Sequence, residues 1–243
     1  MNKTFSLRTI VFLSMLVFGP LYTATANDIY ITQSGDGLDL DITQDGSDNV
    51  IGTTGTNVTL NGDDMTFSIT QTGSSNTIEA TIKGDTYTGT WSFTGDSNTV
   101  DLLCSSTSAG NCDTVTLNIT TVGDSNVFDF DVGEVADASS SSIVFTLTGD
   151  NNVTNVDVDG QSASVTVTVD NSSSLSTNSA NSDEGVAMNI DVDGDGDVNG
   201  HTILVDITGG GGTLDITQSG VYDNTVDLDV TGDDFDIDIT QSD

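Results

Sequence analysis

Carboxylates are abundant in this sequence, but few of them are spaced as a metal or acid–base site requires. Asp191, Asp193 and Asp195 alternate before Gly196, which is typical of the start of a calcium-binding loop. Such a loop needs a bidentate Glu at its twelfth position, where this chain has Thr202. We therefore expect an acidic turn that binds Ca²⁺ or other cations weakly. The other candidate cation ligands are paired aspartates on predicted strands: Asp129, Asp131, Asp227 and Asp229.

Catalytic groups are scarcer still. His201 is the only histidine, and Lys83 is the only lysine or arginine beyond residue 26. The sequence contains no convincing pair of nucleophile and base, and no cation placed to stabilise an oxyanion. We expect no enzymatic activity and no required cofactor.

The first 26 residues have the pattern of a secretory signal. Lys3 and Arg8 precede an apolar stretch over residues 10–21, and Ala24-Thr25-Ala26 resembles a cleavage site. A membrane anchor would need about 20 apolar residues, and this run is shorter. We expect an exported protein that begins at Asn27, is secreted or lies at the cell surface, and has no later membrane-spanning segment.

The two cysteines, Cys104 and Cys112, enclose seven small residues. In an oxidising compartment two cysteines this close most simply form one disulfide that closes a small loop. A metal site is the alternative, but only Asp113 adjoins them as a further ligand.

The charge of residues 27–243 is extremely negative, with one lysine against 38 acidic side chains. Nucleic acids and anionic lipid surfaces require basic patches, so we expect neither as a partner. High charge can also indicate disorder, but the regular placing of apolar residues favours a folded chain.

A strand-turn-strand pattern recurs about every 25 residues, a period typical of solenoids. Apolar residues alternate along each strand, as at Met65, Phe67 and Ile69, so they share one face. One phase of the repeat is marked by Gln44, Gln71, Phe93, Thr121, Leu147, Val169, Val192, Gln218 and Gln241. We predict an all-β fold, a β-solenoid of about nine strand-turn-strand rungs with open ends. A β-sandwich with long hairpins is the alternative.

The same pattern predicts a single domain over residues 27–243 with two loop insertions. One insertion is the cysteine loop near residues 104–112. The other lies near residues 170–185, which are almost free of apolar side chains where a second strand is due. The phase resumes on Val192, so this stretch is not expected to be a linker between domains.

The turn between the two strands of a rung is usually Gly-x-x-Asn, as in residues 46–49 and 73–76. With the preceding Gln it resembles the curlin repeat of curli, the bacterial extracellular amyloid fibres, most closely at residues 42–50, 69–77 and 216–225. The resemblance implies inward Gln and Asn side chains that stack as amide ladders between rungs. By position these are Gln44, Gln71, Gln218 and Gln241, with Asn49, Asn76, Asn98, Asn126, Asn152 and Asn224. The alternative is that Gly-x-x-Asn is only a favoured turn.

The outward side chains differ between the two strands of a rung. The first strand shows hydroxyls, as at Thr66, Ser68 and Thr70, whereas the second shows acids, as at Asp129 and Asp131. Stacked carboxylates about 4.8 Å apart repel by about 0.9 kcal/mol in water. Divalent cations, salt or mild acid should therefore promote folding or assembly, although a solvated acidic surface is the simpler interpretation.

Uncapped predicted strands at both ends of the repeat, residues 29–33 and 235–241, favour the addition of further strands. Together with the resemblance to curlin, they lead us to expect a secreted structural subunit that stacks head to tail into an extracellular fibre, with roles in cell adhesion and biofilm matrix. The expected partners are further copies of the same chain, and a nucleator or an outer-membrane secretion partner. The alternative is a monomeric acidic binding module, either a calcium-stabilised adhesin or a protein that binds ice or another surface through its threonines.

Overall fold

The computed structural model describes residues 27–46, 48–52, 58–104, 112–123, 125–133, 140–149, 151–160, 162–170, 186–193, 201–208, 212–220, 224–232 and 235–242. All regular structure in these ranges is β-strand. The strands are β1 (Asn27–Ile29), β2 (Thr32–Ser34), β3 (Asp39–Asp45), β4 (Asp48–Ile51), β5 (Val58–Asn61), β6 (Met65–Thr72), β7 (Ser75–Lys83), β8 (Thr86–Thr94), β9 (Ser97–Cys104), β10 (Thr114–Val122), β11 (Ser125–Val132), β12 (Ser140–Thr148), β13 (Asn151–Asp159), β14 (Ala163–Asp170), β15 (Val186–Asp193), β16 (Thr202–Thr208), β17 (Gly212–Ser219), β18 (Thr225–Thr231) and β19 (Phe235–Ser242).

The strands form two parallel sheets, so the fold is the predicted β-solenoid. The long sheet runs β1-β4-β7-β9-β11-β13-β15-β17-β19, with β2 and β5 alongside this path; the short sheet runs β18-β16-β14-β12-β10-β8-β6-β3. Successive strands alternate between the sheets, and each pairs in parallel with the strand one rung away. β1 and β2 share one level of the long sheet, as do β4 and β5, because both β4 and β5 pair with β7.

The core lies between the two sheets because apolar residues occupy alternate positions on every long strand. A period of two directs these side chains to one face, and the coiling of the chain makes that face inward in both sheets. Aromatic residues fill the middle rungs: the ring centre of Phe145 is 5.7 Å from that of Phe128 and 5.0 Å from that of Phe130. Trp91 is also buried, and its Nε1–H donates to the carbonyl of Phe67 at 3.1 Å.

The predicted number of rungs is slightly too high. The short sheet contains eight strands in the described residues, each followed by a strand of the long sheet, which makes eight complete rungs. β1 and β2 add a half-rung in the long sheet.

The predicted phase is wrong after Val169, because the repeat slips by half a rung. Val169 is in the short sheet and is paired in register with Ile207, whereas Val192 is in the long sheet beside Gln218. Val169 and Val192 are separated by the connection from β14 to β15 and by most of β15 itself, but by no further strand of the described residues. That connection is long enough to imitate a whole strand-turn-strand interval, and most of the predicted insertion at residues 170–185 lies outside the described residues. The predicted signal over residues 1–26 also lies outside them.

Candidate functional site

A ladder of buried asparagines crosses five successive strands of the long sheet, near the N-terminal end of each strand. The Nδ2 of each donates to the Oδ1 of the next: 3.0 Å from Asn49 to Asn76, 2.8 Å from Asn76 to Asn98, 2.7 Å from Asn98 to Asn126 and 2.7 Å from Asn126 to Asn152. Each Nδ2 also donates to a carbonyl, as Asn49 does to Thr72 at 2.8 Å. An amide can donate and accept at once, so one side chain links the rungs on both sides.

In four of the Gly-x-x-Asn turns, those that begin at Gly73, Gly95, Gly123 and Gly149, the glycine is required by the close approach of the preceding turn. A Cβ on Gly95 would lie 1.8 Å from the carbonyl oxygen of Gly73, and one on Gly123 would lie 1.7 Å from that of Gly95. No side chain fits at these distances. The repeated turn therefore reflects the stacking of rungs, which the left-handed preference of glycine and asparagine does not explain.

The predicted glutamines form two separate pairs in opposite sheets. Gln71 Nε2 donates to Gln44 Oε1 at 2.7 Å in the short sheet, and Gln241 Nε2 donates to Gln218 Oε1 at 2.8 Å in the long sheet. The prediction of a single phase for all four is therefore wrong, because the half-rung slip after Val169 moves Gln218 and Gln241 to the long sheet. In both pairs the amide donates toward the N-terminal rung.

Asn224 does not belong to the asparagine ladder. The residue in register with Asn152 is Val186, so the ladder ends there, and Asn224 lies at the opposite turn, which leads from the long sheet to the short one. Its Oδ1 accepts from the backbone N–H of His201 at 3.0 Å. His201 itself is buried, and its Nδ1 accepts from the N–H of Ala163 at 3.1 Å. The ring therefore lies at the edge of the core and pairs with the backbone.

Cys104 and Cys112 form a disulfide with their Cα atoms 6.0 Å apart. Cys104 ends β9, and Cys112 is buried just before β10 begins, so the bond fixes the passage from the long sheet back to the short one.

Outward carboxylates form an acidic face on the long sheet. Glu79, Asp101 and Asp129 are in register on three successive strands. Burial, followed by the charges of Asp129 and Glu79, raises the pKa of Asp101 above its ordinary value of 3.8. The next two residues in this row are Asn155 and Asn189. Asn155 Nδ2 donates to Asp129 Oδ1 at 2.8 Å. The second row of this face is Asp131, Asp157 and Asp191.

The predicted cation ligands do not converge on one place. Asp129, Asp131 and Asp191 lie on the long sheet, whereas Asp227 and Asp229 lie on the short sheet, where the half-rung slip puts them. Asp195 and the side chain of Asp193 lie outside the described residues. Within the described ranges, no three His, Cys, Asp or Glu residues are placed to hold a metal ion.

Outward hydroxyls form a second regular face, on the short sheet. One row in register is Thr66, Thr88, Thr116, Ser142 and Ser164; another is Thr70, Ser92, Thr120, Thr146 and Thr168. The two rows are four residues apart along the strand, or about 13 Å, and successive strands are about 4.8 Å apart. The row between them is mixed: Ser68, Thr90, Asn118, Val144 and Thr166.

The two ends of the solenoid expose side chains that are buried elsewhere. Ile216 on β17 is 1% exposed, whereas Ile239, which is in register with it on β19, is 45% exposed. Ile237 on the same strand is 36% exposed. At the other end, Ile29, Ile31, Leu38 and Leu40 are only partly buried. Among the described strands, β18 and β19 have a partner on one side only, and so do β1, β2 and β3.

Sequence reasoning missed two sets of amides. Gln33 on β2 is in the same column of the long sheet as Gln218 and Gln241, and the Ile-Thr-Gln that precedes Gly35 is the signal that would have found it. The exposed hydrogen bonds from Asn155 to Asp129 and from Asn189 to Asn155, both 2.8 Å, have no repeated turn beside them to mark them.

The chain matches no protein-family model, no curated protein and no solved structure. In the described residues, no helix is long and apolar enough to cross a membrane.

Proposed function

We propose that this chain is a secreted structural subunit that stacks end to end into an extracellular fibre of the curli type, contributing to adhesion and matrix. The fibre grows when the open strand edges of one solenoid pair with those of the next. Each junction repeats the strand pairing that joins the rungs within one chain.

The exposure of Ile239 is the observation that carries the proposal. The sequence of β19 has the inward apolar pattern of a core strand, and the equivalent Ile216 is fully covered by β19 itself. An edge strand with unpaired N–H and C=O groups and exposed isoleucines favours the addition of another strand. Solenoids that remain monomeric generally have polar capping repeats at their ends.

The acidic residues make this assembly dependent on conditions. Asp236 and Asp238 lie on the outward face of β19, and Asp39, Asp41 and Asp45 lie on that of β3. Bringing such edges together places carboxylates within about 5 Å of one another, which costs roughly 0.9 kcal/mol per pair in water before screening by salt. Calcium, high salt or mild acid should therefore be needed for fibres to form.

The test is assembly of residues 27–243, followed by size-exclusion chromatography and electron microscopy. We expect monomers in low salt at neutral pH and unbranched fibres after calcium, salt or acid is added. A chain that stays monomeric under all three conditions would contradict the proposal.

A pair of variants separates edge pairing from general stickiness. Ile239→Asp places a charge on the inward face of the open edge, whereas Val153→Asp introduces the same change on an outward face of a middle strand. Both side chains are 45% exposed. Ile239→Asp should abolish fibres and leave the monomer folded, and Val153→Asp should still assemble.

A second candidate function is supported by the hydroxyl face of the short sheet. Its two hydroxyl rows run in register across β6, β8, β10, β12 and β14, and this regular spacing suits ordered water or a crystalline surface. Threonine is also favoured on exposed strands for its β propensity alone. Ice-recrystallisation and thioflavin assays on one sample distinguish this function from fibre formation.

A further inference from the structure

In the described residues, the long sheet has one more level of strands than the short sheet. This difference limits how a second copy can stack on the end of the first. The path of the long sheet has nine strands, whereas the short sheet has eight. The described chain therefore alternates through an odd number of levels, beginning and ending in the long sheet.

Stacking two copies in the same orientation would break this alternation. β19 would meet β1 and β2 of the next copy, and each copy would add nine levels on one side but eight on the other. The short sheet would then lack one strand at every junction, a gap of about 4.8 Å beyond its normal spacing. Val226, Leu228 and Val230, which are partly buried on β18, would stay uncovered there.

A half-turn about the fibre axis removes this mismatch. The two strands of a rung run in opposite directions on opposite sides of the core, so a half-turn exchanges the sheets and keeps every pairing parallel. β18 then meets β1 and β2 of the second copy, and β19 meets β3. Each side of the fibre receives nine levels from one copy and eight from the next.

The terminal sequences fit this arrangement on both sides at once. β19 reads FDIDITQS over residues 235–242, and residues 38–45 read LDLDITQD. On the other side, Val226 and Leu228 of β18 meet Ile29 and Ile31, and Val230 meets Gln33. Val230 and Gln241 are 11 residues apart, as are Gln33 and Gln44, so both contacts form in the same register.

The glutamine pairs provide an independent indication. Gln44 Nε2 donates to the carbonyl of Val50 at 3.4 Å, and Gln218 Nε2 donates to that of Thr225 at 3.4 Å, so each reaches the strand beyond its own turn. The two pairs therefore have the same local geometry in opposite sheets. A half-turn places Gln44 and Gln71 of one copy directly after Gln218 and Gln241 of the other. Because each amide donates toward the N-terminal rung, the polarity of the ladder continues across the junction.

We propose that successive copies in the fibre are related by a half-turn about its axis, with β19 of one copy paired to β3 of the next and a four-glutamine ladder crossing the junction. This arrangement rests on the proposed function. It also makes the acidic and hydroxyl faces alternate along each side of the fibre.

The experiment is disulfide cross-linking of fibres formed from two double-cysteine variants. Thr43→Cys with Thr240→Cys joins positions that the half-turn brings into register, and Thr32→Cys with Thr240→Cys joins positions that same-orientation stacking would bring together. All three threonines are exposed, so the monomer fold should be unaffected in both variants. Cα atoms on adjacent paired strands are about 5 Å apart, which is within reach of a disulfide.

We expect the first variant to give a ladder of covalent multimers on a non-reducing gel, and the second to stay monomeric on that gel although its fibres are normal. Cross-linking of the second variant alone, or of neither variant within well-formed fibres, would overturn the half-turn and leave fibre formation intact. Failure of the unmodified chain to form fibres would overturn both proposals.

Discussion

The middle and the ends of this solenoid have the same inward residue pattern but very different surroundings. In the middle, Phe128 on β11 and Phe145 on β12 are covered by strands on both sides. At the C-terminal end, Ile237 and Ile239 occupy equivalent inward positions and are exposed. The C-terminal strand therefore has the residue pattern of a strand inside a stack but lacks one of the two neighbours that such a strand has.

The largest expected effect on stability is in the middle. Phe145→Ala removes a ring that contacts both Phe128 and Phe130, and the cavity cannot collapse between stacked strands. We expect the free energy of unfolding to fall by about 3–5 kcal/mol. Ile239→Ala at the exposed end should cost about 1 kcal/mol, since 45% of that residue is already exposed. Urea unfolding of the monomers compares the two, and equal losses would contradict the distinction between middle and end.

A smaller loss is expected where the asparagine ladder is cut. Asn98→Ala removes one of the two acceptors of Asn76 Nδ2 and the donor to Asn126 Oδ1, both in buried positions. The cost should be about 2 kcal/mol. Asn155→Ala cuts the exposed ladder, where water replaces the lost partners, and should change stability by about 0.5 kcal/mol or less. If Asn98→Ala lowers the free energy of unfolding no more than Asn155→Ala does, the buried asparagine ladder does not stabilise the stacked rungs.

At the ends the effect is on assembly. Asp236→Asn with Asp238→Asn removes two carboxylates from the outward face of β19, so fibres should form at a lower concentration of salt or calcium. The control removes the same number of charges: Asp101→Asn with Asp157→Asn, on middle strands, should leave that threshold unchanged because both residues are remote from the junction. Light scattering across a salt titration measures the threshold, and an equal shift in both variants would indicate a general effect of net charge.

The smallest expected effect is a pH dependence in the monomer. Since the pKa of Asp101 is raised in the folded state, that state binds more protons than the unfolded chain between 3.8 and the raised value. The contribution of this residue therefore stabilises the fold as the pH falls through that window and is lost as the pH rises above it. Asp101→Asn should raise the melting temperature at neutral pH and flatten its rise on mild acidification. Thermal melts at several pH values check this, and an unchanged profile would contradict it.

The sequence was most informative where one physical requirement repeats. Alternation of apolar residues predicted strands with one buried face, and the constant Gly-x-x-Asn predicted stacked turns, because only glycine fits between them and asparagine bonds to its like. The half-rung slip could not be predicted in the same way. Residues 170–185 contain too few apolar side chains for their sequence to predict or exclude a strand. Only the number of residues between Val169 and Val192 then indicates to which sheet the later strands belong, and that number is misleading.

That one ambiguity explains the other errors. The repeat predicts the wrong side of the core for Asn224, for the pair Gln218 and Gln241, and for the pair Asp227 and Asp229. It does predict correctly which face of the strand these glutamines and aspartates occupy. A period of two fixes which face of a strand is inward, but it does not determine to which of two similar sheets that strand belongs.

Hydrogen–deuterium exchange of the β19 amides, compared between monomer and assembled protein, tests most directly whether a second copy covers the ends. Half of the amides of an edge strand point away from its only neighbour, so they exchange readily in the monomer. The account predicts that these amides in β19 and β3 become protected on assembly, while those of β10 keep their protection throughout. Fibres in which β19 exchanges as fast as in the monomer would contradict it.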